Sequence, residues 1–164
     1  MMMDARRGAH PGLLIGGFLV ALALEVLPLP TWAEPARPAW VISVLLWWCL
    51  YAPQRVNVGT AFALGIVLDV LKGTLLGQHA LALTLVAALA ARFHLQLRVF
   101  PLWQQTSLVG LLTLAAGVVL WWTDGISGQP SNLLLRVPTV ITTALLWPWL
   151  AELMRSLGRR TDTL

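Results

Sequence analysis

The residues of this sequence that could do chemistry are concentrated in one stretch, residues 55–77. Asp69 lies inside an apolar run, and Lys72 follows three residues later, within reach on the same face of a helix. At the middle of a bilayer an ionised side chain costs about 2.5–3.5 kcal/mol on insertion scales, so it normally has a partner. We therefore expect Asp69 to be structural, buried against Lys72 or against polar groups near Arg55 and Asn57. Proton transfer is the alternative, disfavoured because the sequence suggests no second deep carboxylate or histidine to accept the proton.

Sequence motifs for catalysis or metal binding are absent. No H-E-x-x-H, G-x-S-x-G or phosphate-loop motif occurs, and His10, His79 and His94 lack the spacing of metal ligands. Asp124 is predicted to lie in a loop, which leaves Asp69 without the second carboxylate that an aspartyl protease needs. The sequence predicts neither an enzyme nor a cofactor or metal site.

Small residues recur at a spacing that places them on one helix face. Gly12 and Gly16 form one such pair, and a longer series lies in the predicted third span. At steps of four, that series contains Asn57, Ala61, Gly65, Asp69, Gly73 and Gly77. Small residues let two helices approach closely inside a membrane. We expect both surfaces to pack within this chain, and a docking groove for the single helix of a partner protein is the alternative.

The composition is typical of an integral membrane protein. The 164 residues are 58% hydrophobic and 11% charged, and the mean hydropathy is +0.77. Soluble domains carry about 25% charged residues, and a soluble fold of this size could not bury so much apolar surface. The net charge of +4 reflects basic residues scattered between apolar runs, so we expect no nucleic-acid partner. The lone Cys49 excludes an intramolecular disulfide.

The uncharged stretches predict an all-α membrane bundle in a single domain, residues 1–164. About 20 apolar residues cross a bilayer as a helix. Six spans are predicted at about 12–29, 39–52, 56–76, 79–91, 105–122 and 137–153. The fourth could continue to Phe100 as an interfacial piece. Glu25, close to the end of the first span, is expected to reach the interface or the loop that contains Arg37.

The basic residues predict that both termini are cytoplasmic. Cytoplasmic segments of membrane proteins are enriched in Lys and Arg. With six spans, the inner side carries Arg6, Arg7, Arg55, Arg92, Arg98, Arg155, Arg159 and Arg160, and the outer side carries Arg37, Lys72 and Arg136. A chain with one span fewer fits this asymmetry less well.

Tryptophans lie near the predicted ends of the spans, where an apolar ring with one N–H group prefers the headgroup region. They are Trp32, Trp40, Trp103, Trp121, Trp122, Trp147 and Trp149, with Trp47 and Trp48 near the other end of the second span. We interpret them as an interfacial belt. An aromatic cage for a cationic ligand is the alternative.

Short motifs follow one another along nearly the whole chain. They are Pro28-Leu-Pro30, Arg37-Pro38-Ala-Trp40, Pro53-Gln-Arg55-Val-Asn57-Val-Gly59-Thr60, Gly65-x-x-x-Asp69, Gly73-x-x-x-Gly77, Leu102-Trp103-Gln104-Gln105 and Leu146-Trp147-Pro148-Trp149. In this order and at this chain length, they make the sequence similar to the MreD family of rod shape-determining proteins, proteobacterial type. One departure is the short outer loop at residues 124–130, which puts any contact made there in doubt.

The resemblance implies a non-catalytic subunit of the cell-elongation machinery in the bacterial cytoplasmic (inner) membrane. It implies that the protein binds the bitopic protein MreC and, through it, acts with MreB filaments, RodA and a penicillin-binding transpeptidase in peptidoglycan synthesis. Membrane lipids are the other expected partners. The family also resembles in fold the six-helix substrate-binding subunits of energy-coupling-factor transporters. That likeness supplies the alternative function, a small-molecule-binding membrane subunit of a transporter.

Overall fold

The computed structural model describes residues 11–129 and 131–161, without the side chains at 160 and 161, and it is helical over that range. Its α-helices are α1 (Pro11–Val26), α2 (Trp40–Tyr51), α3 (Val58–Lys72), α4 (Gln78–Val99), α5 (Leu102–Ile126) and α6 (Val137–Thr161). Short 3₁₀ turns at Glu34–Ala36 and Leu133–Arg136 precede α2 and α6. The described residues do not include Arg6, Arg7, His10 or the side chain of Arg160.

Helix boundaries follow residues that start or stop a helix. Helix α1 ends before Pro28, and α2 begins after Pro38, as the fixed φ angle of proline favours. The Oδ1 atom of Asn57 caps α3 by accepting a hydrogen bond from the Gly59 N–H at 3.0 Å. Gly73 ends α3 with a φ of 63°, a left-handed conformation that glycine adopts without strain.

Several predicted boundaries were wrong. Helix α3 ends at Lys72 and not at residue 76, because the chain turns at Gly73. The fourth segment does continue towards Phe100, as the sequence allowed: α4 runs without a break to Val99, since neither glycine nor proline occurs before Pro101. Helices α5 and α6 are both longer than predicted, and α6 continues past Pro148 to Thr161.

The short helix α2 lies at the centre of the bundle. Every residue from Val41 to Leu50 is buried, and α2 packs against α1, α4 and α6. Its 12 residues give a helix about 18 Å long, shorter than the roughly 30 Å hydrocarbon core of a bilayer. Since Val41–Leu50 are all buried, the surrounding helices cover α2, which forms the core of the fold.

Successive helices run in alternate directions and create two different ends. One end, called here the polar end, contains the side chains of Glu25, Asp69, Lys72, His79, Asp124 and Arg136, which line one cavity or contact one another. The opposite end, the arginine end, contains Arg98 and Arg155 beside Tyr51. Gly12 of α1 and Leu157 of α6 line one groove, so both ends of the described chain lie near the arginine end.

Three helical segments are long and apolar enough to cross a membrane, by length and composition. They are Gln78–Val99, Leu102–Ile126 and Leu133–Arg159, and Pro11–Val26 is a shorter apolar helix. A bundle of six helices agrees with the predicted number of elements. Six membrane spans with cytoplasmic termini, and the likeness to transporter subunits, stay predictions.

Candidate functional site

Asp69 is the centre of the polar end and caps the helix that follows it. Only 1% of the residue is exposed. Its Oδ1 atom accepts hydrogen bonds from the His79 N–H at 2.8 Å and from the Thr74 hydroxyl at 3.0 Å. Its Oδ2 atom accepts from the Gly77 N–H at 2.8 Å. Helix α4 lacks a capping side chain at Gly77 itself, so α3 supplies the cap across the turn.

His79 also contacts Asp69 through its ring, since Nδ1 lies 2.8 Å from Oδ1. The prediction that no histidine lies beside Asp69 was therefore wrong. The signal that could have found it is the glycine-rich turn between Gly73 and Gly77, which reverses the chain and returns His79 to the end of α3. That Asp69 does not carry protons stays a prediction.

Lys72 pairs with Glu25 and not with Asp69, which corrects the expected pairing. Its Nζ atom lies 3.0 Å from Oε1 of Glu25. The other carboxylate oxygen of Glu25 accepts a hydrogen bond from the Val41 N–H at 3.4 Å. The side chain of Lys72, the last residue of α3, reaches Glu25 of α1. The Asp69 carboxylate is instead directed at the start of α4. Asp69 likewise does not contact Asn57, which lies at the opposite end of α3.

Arg37 joins the end of α1 to the start of α2. Its guanidinium donates to the carbonyl oxygens of Glu25 and of Leu27, the latter at 2.7 Å. Glu25 lies in the last turn of α1 and Leu27 directly follows the helix, and a cation is favourable at this end of a helix. The expectation that Glu25 lies near the Arg37 loop is confirmed through this backbone contact. Pro28 and Pro30 form the connection between the two.

Asp124 lies in the last turn of α5, so the prediction that it lies in a loop was wrong. Its Oδ2 atom lies 2.5 Å from Nη2 of Arg136, and its Oδ1 atom accepts a hydrogen bond from the Gln78 side chain. Three elements are therefore joined at this carboxylate: α4, α5 and the 3₁₀ turn before α6. The sequence analysis missed this ion pair, since nothing in the spacing of Asp124 and Arg136 indicates it.

A cavity of about 80 Å³ lies among these groups. Glu25, Lys72, His79 and Arg136 contribute charged or polar atoms, and the other walls are mostly apolar side chains such as Leu83. A water molecule occupies about 30 Å³ of liquid, so the cavity has room for a few waters. Glu25 and Asp124 each form an ion pair with a basic residue, so much of the negative charge at the polar end is balanced.

An apolar groove of about 350 Å³ lies between α1 and α6, with α2 as its floor. Gly12, Gly16 and Gly17 line its α1 side, and Leu153 and Met154 line its α6 side. A Cβ atom added at Gly12 or Gly16 would meet nothing within 4 Å. The expectation that this pair packs within the chain was therefore wrong, because no helix of the described chain covers it.

Gly65, in contrast, packs within the chain as expected. A Cβ atom added there would lie 2.2 Å from the Cα atom of Ala80, so α3 and α4 touch backbone to backbone. Gly73 and Gly77 do not continue this face, since both lie in the turn with φ angles of 63° and 99°. The predicted row of small residues on one helix thus ends at Asp69.

The remaining predicted residues lie at the arginine end or near it. The Gln105 side chain donates to the carbonyl oxygens of Leu97 at 3.0 Å and Phe100 at 3.2 Å, which fixes the turn between α4 and α5. Gln104 lies in the first turn of α5, and Trp103 is exposed. Arg55 lies just before the Asn57 cap.

Two groups of tryptophans differ in their surroundings. Trp32, Trp103, Trp121, Trp122 and Trp149 are exposed, as an interfacial belt requires. Trp147 is completely buried, and its ring centroid lies 6.4 Å from that of Trp47, which is also buried with Trp48. The predicted belt positions of Trp47, Trp48 and Trp147 were therefore wrong. The large ring of Trp147, one position before Pro148, faces α2 and fills the core.

Within residues 11–129 and 131–161, no group of three or more His, Cys, Asp and Glu side chains could hold a metal ion. The polar end connects helices, and the groove offers an open apolar surface. An all-helical bundle with three long apolar helices, a polar end and a lateral groove defines a small helical membrane protein.

Comparisons with known proteins identify the family. Residues 9–157 match the family model described as rod shape-determining protein MreD. The rod shape-determining protein MreD of Haemophilus influenzae is 32% identical to the chain over 147 residues, which cover 90% of this chain and 91% of that protein. The chain belongs to the MreD family, whose role is in rod shape determination. No solved structure matches it significantly.

Proposed function

We propose that this protein is a non-catalytic membrane subunit of the cell-elongation machinery, and that it binds the single membrane helix of an MreC-like bitopic partner. Through that partner it supports peptidoglycan synthesis by RodA and a penicillin-binding transpeptidase along MreB filaments. The protein spans the bacterial cytoplasmic membrane six times, with the arginine end in the cytoplasm. Family membership supports the role in cell shape.

The groove between α1 and α6 is the observation that carries the proposed mode of binding. Its lining is almost entirely apolar, and Gly12 and Gly16 expose the backbone of α1 along it. In a membrane the hydrophobic effect gives no drive for association, so helices associate where backbones approach closely and van der Waals contact is extensive. A partner helix that packs against Gly12 and Gly16 gains such contact with α1, α2 and α6.

A Gly16→Leu variant tests this proposal. The new side chain has open space, so the protein should insert and accumulate normally, while the leucine fills the groove. We expect at least a tenfold loss of the MreC-like partner in purification from mild detergent, together with rounded cells. Gly125→Leu is the matched control, because a Cβ atom at Gly125 also meets nothing within 4 Å and this residue does not line the groove.

Normal partner recovery with Gly16→Leu would refute the groove as the docking site. Loss of the partner in Gly125→Leu alone would instead place docking at the polar end, near the loop that follows α5. Both outcomes leave the family assignment intact, because they concern the surface used and not the role in cell shape.

The alternative, a small-molecule-binding subunit, finds less support in the polar cavity. Glu25, Lys72, His79 and Arg136 do converge there, as a binding site would require. The volume of about 80 Å³ is well below the roughly 300–1,000 Å³ of sites for drug-sized ligands. Tight, saturable uptake of a vitamin-like compound by the purified protein would favour this alternative.

A further inference from the structure

Two guanidinium groups converge on one tyrosine at the arginine end. Arg98 donates from Nε to the Leu50 carbonyl at 2.5 Å and from Nη2 to the Tyr51 carbonyl at 2.8 Å. Its Cζ atom lies 5.6 Å from the centroid of the Tyr51 ring. On the other side, Nη2 of Arg155 lies 3.4 Å from the Tyr51 hydroxyl.

The aromatic pair beneath these groups fixes their positions. The Trp47 and Tyr51 rings lie one helical turn apart on α2, with centroids separated by 4.0 Å. The Cζ atom of Arg155 lies 5.8 Å from the Trp47 centroid. Planar guanidinium groups stack well on aromatic faces. Arg98 of α4 and Arg155 of α6 thus both contact Tyr51 at the end of α2.

The positive charge at this place is not balanced by the described residues. Glu152 is the acidic residue nearby, 3.7 Å from Nη1 of Arg155, and it is shared with Arg159 at 3.2 Å. The other acidic residues in the described part of the chain lie at or near the polar end: Glu25, Glu34, Asp69 and Asp124. Like charges repel more strongly near low-dielectric surroundings, so an anion bound between the arginines would stabilise this arrangement.

We propose that Arg98 and Arg155 bind the phosphate of an anionic phospholipid headgroup. The site lies where the apolar segments of α4 and α6 end, the depth at which headgroups lie. The exposed side chain of Val99, directly after Arg98, is available to contact an acyl chain. Guanidinium groups recognise phosphate oxygens with paired hydrogen bonds. This proposal depends on the protein lying in a membrane, and it does not depend on partner binding.

Native mass spectrometry of the full-length protein in mild detergent tests the site, with dioleoyl phosphatidylglycerol and dioleoyl phosphatidylcholine as probes. We expect the wild-type protein to retain phosphatidylglycerol in preference. The Arg155→Gln variant should retain about tenfold less, the factor that corresponds to the roughly 1.5 kcal/mol of a hydrogen bond to a charged group. Arg92→Gln is the control, since Arg92 is exposed on α4 and its loss changes the net charge equally.

Equal retention of the two lipids, or equal losses in the Arg92 and Arg155 variants, would overturn the proposal. Displacement of phosphatidylglycerol by millimolar inorganic phosphate would identify a site for free anions and overturn the lipid assignment. If Arg155→Gln cannot be purified, Arg155→Lys replaces it. Lysine keeps the charge but loses the planar fork, so retention between the wild-type and background levels supports the site, and background or unchanged retention contradicts it.

Discussion

The buried carboxylate of Asp69 has a local structural explanation. The first N–H groups of a helix have no partner within the helix, and its N-terminus carries a partial positive charge. Asp69 accepts from the N–H groups of Gly77 and His79 at 2.8 Å each, so it neutralises the start of α4 from within α3. Hydrogen bonds to an ionised acceptor are the strong ones. The charge therefore stabilises the turn between two helices, and no chemistry is required to explain it.

Substitutions at Asp69 test this structural role. Asp69→Asn keeps the size and one acceptor oxygen, whereas Asp69→Leu leaves the partly buried N–H donors of Gly77 and His79 without this acceptor. Each unsatisfied buried group costs about 1–3 kcal/mol. We expect the thermal midpoint in detergent to fall clearly more for Asp69→Leu, and rod shape to be largely preserved in Asp69→Asn. Equal loss of cell shape from both variants, with equal stability, would indicate that the ionisable proton of Asp69 matters.

Sequence reasoning reached some residues of the polar end and missed others. The depth of Asp69 predicts a structural partner, whereas the predicted span to residue 76 missed the turn at residues 73–77. The true partner of Lys72 could not be predicted, because Glu25 comes from α1 and only the packing of α1 on α2 and α3 brings it near. Spacing along the chain shows which side chains of one helix can meet, as Asp69 and Lys72 could have done, and it gives no information on partners from other helices.

At the scale of elements, the glycines have three different roles. Gly65 lets α3 and α4 touch, Gly73 and Gly77 permit a turn through positive φ angles, and Gly16 exposes α1 in the groove. Identical spacing at steps of four thus has different consequences in different elements. The sequence pattern indicates close approach in general, and only the fold tells which helix, if any, approaches.

Alanine substitutions separate these roles at the smallest change in size. In Gly65→Ala the added methyl group would lie 2.2 Å from the Ala80 Cα atom, so α3 and α4 must move apart. Overpacking of this kind typically costs about 1–3 kcal/mol, and a backbone contact leaves less room to relax. We expect lower abundance and a lower thermal midpoint for Gly65→Ala, and wild-type values for Gly16→Ala. Wild-type stability of Gly65→Ala would show that the α3–α4 contact is looser than described.

The number and order of helices were predictable because apolar runs and proline punctuation are local signals. The lengths of α3 and α4 were less predictable. Gly73 lies within an apolar run that could have continued, and residues 92–99 are too polar for a span but still helical. The burial of Trp147 also could not be predicted from the sequence, because a tryptophan near the end of a span suits a membrane interface as well as a core.

At the scale of the whole molecule, the two ends carry different charge patterns. The acidic residues of the polar end have basic partners close by, as in Glu25–Lys72 and Asp124–Arg136. At the arginine end, basic residues clearly exceed the one acidic residue described, Glu152. Cytoplasmic ends of membrane proteins carry this excess. The fold therefore groups at one end those residues assigned to the cytoplasmic side that the structure describes: Arg55, Arg92, Arg98, Arg155 and Arg159.

Cysteine labelling tests the orientation that follows from this asymmetry. In a Cys49→Ala background, single cysteines replace the exposed residues Gln96, towards the arginine end, and Gln129, just beyond the polar end. Because the arginine end should face the cytoplasm, a membrane-impermeant maleimide added to intact spheroplasts should label Gln129→Cys and leave Gln96→Cys unlabelled. Permeabilisation should then make Gln96→Cys react fully, which controls for its accessibility. Labelling of Gln96→Cys from outside would reverse the orientation and, with it, place the two arginines around Tyr51 in the outer leaflet.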